Sequence, residues 1–230
     1  MADVNDRDTK ESRLVRVLAR EFNRARLQLL GLIPELDDWM RDVAPEFWDD
    51  HRTKLVSGLS PQMSSVFVEQ AETMMDDFEF LGVDWGLVNE AAADWARDYS
   101  YRLVTDLNRT SQRTLQKLIP QYFENQWTQG QLRDALTPSF GEKRAKTIAR
   151  TEVTRAASEG EQAAALDLER QGIKMQPVWQ TLNDELVCPI CGPLNDKKIG
   201  VDTVDGVVID FYPPAHPNCR CAVEYELIQE

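Results

Sequence analysis

Apolar residues recur along most of the chain at spacings of three and four, the repeat of a helix with one buried face. Between residues 11 and 30, Leu14, Val17, Leu18, Phe22, Ala25 and Leu29 share such a stripe, which Gly31 and Pro34 are expected to end. Leu36, Trp39, Met40 and Val43 suggest a short second helix. Pro45 opens a third with Phe47, Trp48, His51 and Leu55 on one side, closed by Gly58. Ser60-Pro61 reads as an N-cap and first-turn proline, starting a segment with Met63, Val66, Phe67, Gln70, Met74 and Phe78 that stops at Gly82. Asp84 is placed to cap a long helix carrying Val88, Ala91, Ala92, Trp95, Tyr99, Leu103 and Leu107. Residues 1–112 therefore read as a helical docking domain. Trp39, Trp48, Trp85 and Trp95 are expected as core or partner-facing anchors, and His51 as a packed or solvent-facing ring rather than a ligand.

Residues 113–230 read as a second domain of different character. Leu115 to Trp127 continues the helical period, with a break or bend expected at Pro120. Gly130 is a stop, and a short helix from Gln131 to Leu136 precedes Pro138. Gly141 introduces a strong helix from about Lys143 to Gln171, lined by Ala145, Ile148, Ala149, Val153, Ala156, Ala163 and Leu166. Gly172 sits where a left-handed C-cap belongs. The pattern then shortens. Met175 to Thr181, Val207 to Phe211 and Cys221 to Leu227 are β-branched or aromatic, and the last alternates Cys221, Val223, Tyr225 and Leu227. The fold class that follows is α+β. A mostly helical N-terminal half precedes a long helix, and a small antiparallel sheet completes a lobe at 173–230.

Composition narrows the function. With 42% apolar residues the 230-residue chain can bury a core, so global disorder is excluded. The longest apolar run, Leu29 to Ile33, is far short of the ~20 residues of a membrane helix. No secretion signal is visible in the polar Met1–Lys10 segment, so a reducing compartment is expected. The net charge of −13 has the wrong sign for a face-wide nucleic-acid binder. It is weighted toward residues 1–112, which suits solubility or a basic protein partner.

All four cysteines lie in the last 43 residues, as Cys188-Pro-Ile-Cys191 and His216-Pro-Asn-Cys219-Arg-Cys221. A C-x2-C turn puts two thiolates on one knuckle, and a distant turn supplies the rest of a tetrahedral shell. Soft thiolates with an optional imidazole suit Zn2+. Five donors compete for four positions: four cysteines with His216 in support, or His216 and Cys219 as the second pair. The latter gains weight if Cys219 and Cys221 lie in a regular strand, two rises apart, unless the chain bends there. The metal would be structural, because so small a lobe buries too little surface alone. A zinc deaminase needs an upstream His-x-Glu, and the lone His51 is followed by Arg52 and Thr53. A catalytic zinc hydrolase or nuclease would need a base, for which Asp184 and Glu185 are the nearby carboxylates. The run Lys143, Arg144, Lys146, Arg150, Arg155 is the one dense basic stretch. It is a solvated helix face or a contact for DNA phosphate or an acidic partner, with Lys143, Arg144 and Lys146 foremost.

Two strings together resemble a known family. Arg144-Ala-Lys-Thr-Ile-Ala-Arg-Thr-Glu152, preceded by Gly141, and Pro213-Pro214-x-His216-Pro-Asn-Cys219-Arg-Cys221, with Trp179, Asp184, Cys188, Cys191 and Leu194 between them, are similar to phage head-morphogenesis proteins. These are minor head proteins like the F protein of phage Mu. The resemblance covers roughly 113–230. It implies a virion component near the portal, assisting head assembly, DNA packaging or genome delivery. Its implied partners are the portal protein, with major capsid or scaffold protein and viral DNA as further candidates. It also implies that Cys188, Cys191, His216, Cys219 and Cys221 form the metal or structural cluster. Arg150 and Glu152 become a buried polar pair tying the long helix to the metal lobe. Some relatives carry C-terminal enzyme or toxin extensions, for which the nine residues after Cys221 leave no room, so no enzymatic activity is expected.

Overall fold

The computed structural model describes residues 4–36, 42–76, 88–182 and 184–228. Five helices come first: α1 Val4–Leu32, α2 Pro45–Asp76, α3 Val88–Glu124, α4 Gln129–Phe140 and α5 Glu142–Arg170. Five strands follow: β1 Met175–Gln180, β2 Lys197–Lys198, β3 Thr203–Val204, β4 Val207–Val208 and β5 Ala222–Leu227. The α+β architecture read from the sequence is the observed one. Trp39, Met40, Phe78, Gly82, Asp84 and Trp85 lie outside the described residues.

The helices are longer than the punctuation suggests. The expected stop at Gly58 and restart at Pro61 is overturned, since α2 runs through both. A proline removes only its own N–H and crowds the preceding turn. Here Leu55, Leu59 and Met63 are fully buried around it and hold the helix together. Gly58 serves contact rather than termination. A Cβ there would lie 2.6 Å from Val17 Cγ1, so the missing side chain lets α1 approach. Likewise α3 passes through Pro120 and α4 through Pro138. The α4 start is specified locally. Thr128 and Gln131 form a reciprocal capping box, with Thr128 N–H donating to Gln131 Oε1 at 2.8 Å.

Two compact units result. One comprises residues 12–62 and 96–149. Its α1 stripe of Leu14, Leu18, Phe22, Ala25 and Leu29 is essentially inaccessible to water, as the sequence period requires. Phe22 meets Phe140 edge-on at 6.3 Å, and His51 sits 6.2 Å from Phe22 and 6.3 Å from Phe140. Burial pushes the His51 pKa down to about 4, which makes it a neutral core ring.

The other unit comprises residues 1–11, 63–95 and 150–230. Phe67, Ala71, Met74 and Met75 of α2 pack with Ala92, with Ala164, Ala165 and Leu168 of α5, and with Met175. Gly160 marks the close crossing, because a Cβ there would collide with the Phe67 carbonyl oxygen. Gly172 takes the left-handed conformation at φ +88°, as read from the sequence, and turns the chain into β1. The main sheet has the antiparallel order β2-β1-β5, with Trp179 opposite Val223 on β5 and Lys197 on β2. β3 and β4 form a separate hairpin. Trp179, fully buried, centres a small core with Leu194, Ile199, Ile209 and Val223, to which Cys191, Cys219 and Cys221 belong. Leu166, expected on the buried face of α5, is instead half exposed, and that helix buries Glu152, Thr154, Ser158 and Glu161.

Candidate metal centre

Two turns bring the cysteines and the histidine together. In the first, the N–H groups of Cys191 and Gly192 donate to the Cys188 carbonyl at 3.1 and 2.9 Å, folding Cys-Pro-Ile-Cys into a knuckle. The Cys191 N–H also lies 3.4 Å from Cys188 Sγ, where it stabilises sulfur charge. In the second turn, Cys219 N–H donates to the His216 carbonyl at 3.1 Å. Asn218 provides the reversal with a left-handed φ of +66°. β5 begins only at Ala222, so Cys219 and Cys221 precede the regular strand and the expected strand separation does not apply.

The donor atoms converge. His216 Nε2 is 3.1 Å from Cys188 Sγ and 3.2 Å from Cys191 Sγ, and Cys191 Sγ is 3.9 Å from Cys219 Sγ. Cys188, Cys191 and His216 form one triad and Cys191, Cys219 and Cys221 another. Within each, the ligand atoms lie within 4.8 Å of one another, and Cys191 belongs to both. A tetrahedral ion with sulfur bonds of ~2.3 Å spaces its ligand atoms at roughly 3.8 Å, so this donor set has the dimensions to hold a metal ion. His216 Nδ1 donates to the Pro217 carbonyl at 2.8 Å, which leaves the Nε2 lone pair facing the thiols.

Electrostatics point the same way. Burial, with repulsion from Cys219, pushes Cys191 up to about 12. Contact with Cys219 and then burial push Cys221 up as well. The Cys221 hydrogen bond holds Cys219 down at about 5. Burial opposes ionisation of Cys188, but N–H donors from Cys191 and Ile190 hold it below the usual thiol range. The contact with the Pro217 carbonyl, reinforced by the neighbouring thiols, raises His216. Cys219 thus ionises at the expense of Cys191 and Cys221, a penalty on those two thiols that a divalent cation among them removes.

Side chains from two helices anchor the second turn. Thr151 Oγ1 accepts from Asn218 N–H at 2.9 Å, and Thr154 Oγ1 donates to the Cys219 carbonyl at 2.8 Å. Arg7 of α1 donates to the Arg220 carbonyl at 2.7 Å and to the Thr154 hydroxyl. Arg220 grips both oxygens of Asp184, at 2.7 and 2.9 Å, and holds that carboxylate below its ordinary range. Sequence reasoning missed Arg7, Thr151 and Thr154. Thr151 sits inside the Ile148–Glu152 string and Thr154 lies one turn on, but nothing in the pattern marked Arg7.

The remaining site candidates are spread out. Arg150, 43% exposed at its side chain, pairs with Glu11 at 3.3 Å, whereas buried Glu152 lies 3.5 Å from Arg155. Arg144 donates to Ser111 Oγ at 2.8 Å and to the carbonyls of Ser139 at 2.5 Å and Leu107 at 3.2 Å, with Phe22 under its guanidinium. Lys143 is exposed, and exposed Lys146 pairs with Glu142 at 2.7 Å.

A family profile described as Phage Mu protein F like protein matches residues 98–224, more than half of the chain. No curated protein and no solved structure matches.

Proposed function

The chain belongs to the Phage Mu protein F like family, and from that premise we propose a non-enzymatic minor head protein whose C-terminal lobe is closed by one structural Zn2+. The convergence of five donors from two distant turns carries the reading. Cys188, Cys191 and His216, which converge as one triad, are the proposed ligands together with Cys219, whose sulfur lies 3.9 Å from Cys191 Sγ, near a tetrahedral edge. Cys221 donates to Cys219 from the adjoining position. When bound, the ion supplies folding free energy to a lobe with a small core, by roughly 10 kcal/mol or more in isolated zinc modules. The chain's own residues hold the second turn in place through Thr151, Thr154 and Arg7.

A structural role is favoured over hydrolysis because Asp184, the candidate base, has both oxygens taken by Arg220. A phage head-morphogenesis protein works in the virion, among other head components. The proposed place is beside the portal, in head assembly, DNA packaging or genome delivery, with the helical residues 1–112 as the docking part and 113–230 as the family domain. Exposed Leu27, Leu32 and Tyr101 are apolar points on those helices for such contact. A role for Lys143 and Lys146 on viral DNA is weaker, because Glu142 pairs with Lys146 and Arg144 is used internally.

Elemental analysis of purified protein tests the metal, with one zinc per chain expected. A metal-free chain that keeps the lobe folded with reduced cysteines would reject it. Co-purification with portal rings tests the docking assignment.

A further inference from the structure

A groove of about 410 Å³ lies within the unit formed by residues 12–62 and 96–149. Thr110, Arg113, Thr114, Lys117, Leu118 and Gln121 of α3 line it, together with Trp127 and Ala135. Arg113 and Lys117 are four residues apart, so successive helical turns bring them to the same face. Both are exposed, and neither has an ion-pair partner among the described residues. Among the described residues no carboxylate lines the groove. On a chain of net charge −13 this leaves a local positive spot without an internal counter-charge.

The apolar part is held in place by backbone geometry. Trp127 N–H reaches back to the Tyr122 carbonyl at 3.1 Å, and Gln126 N–H to the Phe123 carbonyl at 3.3 Å. Gln126 takes a left-handed φ of +49°. This is the hydrogen-bond pattern that closes a helix C-terminus and redirects the chain. It fixes the backbone at half-buried Trp127, which lines the groove together with buried Leu118 and half-buried Ala135. Thr128, the next residue, is fixed by the α4 capping box.

We infer that this groove docks an acidic segment of a partner protein, with its carboxylates on Arg113 and Lys117 and one apolar side chain between Trp127 and Leu118. Charge complementarity selects the occupant. Two cations recognise two carboxylates spaced one turn apart. A nucleic-acid strand needs a longer basic track to overcome the repulsion of a strongly acidic chain. Thr110, Thr114 and Gln121 supply hydrogen-bonding groups at the rim. The groove's lining residues belong to one compact unit and the cysteine turns to the other.

The test titrates the full chain by calorimetry. The probe is a twelve-residue peptide of Glu and Ala with one central Leu, beside its Gln-for-Glu analogue and a twelve-residue oligothymidylate. Saturable one-to-one binding of the acidic peptide is expected, with little or none of the other two. Arg113→Glu with Lys117→Glu should weaken it at least about tenfold, and Trp127→Ala should also weaken it while leaving its salt dependence in place. Circular dichroism confirms folding, and the milder Arg113→Gln/Lys117→Gln pair serves if the reversed charges unfold the chain. Absent or unchanged peptide binding, tighter binding of the oligonucleotide, or self-association of the chain that the variants abolish would each overturn the assignment.

Discussion

At the scale of single residues, the lobe depends on side chains that several partners share. Replacing Cys191, which both donor triads share, should remove the metal altogether. Cys191→Ser is expected to read near zero zinc by elemental analysis, whereas Cys221→Ser should retain it with reduced affinity, of the order of 10-fold for an outer hydrogen-bond donor. Equal loss in both would move Cys221 into the ligand set. Thr154 is a second such residue, because its hydroxyl serves the Cys219 carbonyl and receives Arg7. Thr154→Val keeps shape and deletes these bonds, with a third to the Arg150 carbonyl. It should lower stability by roughly 1–3 kcal/mol, the cost of stranding buried polar groups, measured by denaturant titration. Thr154→Ser should keep most of it.

At the scale of elements, contact decides more than propensity. The prolines at 61, 120 and 138 all lie inside helices, where propensity alone would break them. In α2 and α4 buried residues flank the proline on both sides, and in α3 buried Leu115, Leu118 and Ile119 lead into it. Gly160 states the same rule in reverse. Alanine is the better helix former by about 1 kcal/mol, but its methyl would run into the Phe67 carbonyl oxygen and fall 3.1 Å from that carbonyl carbon. Gly160→Ala should therefore destabilise by roughly 1–3 kcal/mol through overpacking, seen as a lower melting temperature. Gly31, where an added methyl would meet no atom within 4 Å, should gain stability from the same change. A gain at both sites would show that α2 and α5 do not cross this closely.

At the scale of the whole chain, two buried titratable groups set opposite pH limits. Glu161 is raised to about 8 by burial, with Gln70 Nε2 donating to it at 2.9 Å. Below its ordinary value of 4.5, both folded and unfolded chains carry its proton. Between there and about 8 only the unfolded chain ionises, so stability falls as pH rises and levels off above. His51 acts on the acid side. Its folded value of about 4 lies below 6.5, so the unfolded chain takes up the proton first and stability falls as pH drops through that window. Urea titrations from pH 4 to 9 should show this two-sided profile. The two effects oppose each other between pH 4.5 and 6.5, so Glu161→Gln should abolish the alkaline fall and uncover the His51 rise up to 6.5, and His51→Leu should extend the fall down to 4.5. A flat profile in the parent chain would refute the burial of both groups.

Periodicity and spacing along the chain were enough for its local features. The α1 stripe from Leu14 to Leu29, the left-handed turn at Gly172, the strand at Met175 and the gathering of Cys188, Cys191, His216, Cys219 and Cys221 all follow from short patterns. So did the family, through two short strings taken in order. Packing in three dimensions settled the rest: whether a proline ends a helix, that Gly58 and Gly160 exist for close approach, and that Arg144 is bonded inside its own unit. Packing also chose Arg7, more than two hundred residues from Arg220 along the chain, to hold the second cysteine turn. The reason is physical. A helical or strand period is a property of neighbours a few residues apart, whereas a carbonyl in need of a donor takes whichever side chain the packing brings within about 3 Å.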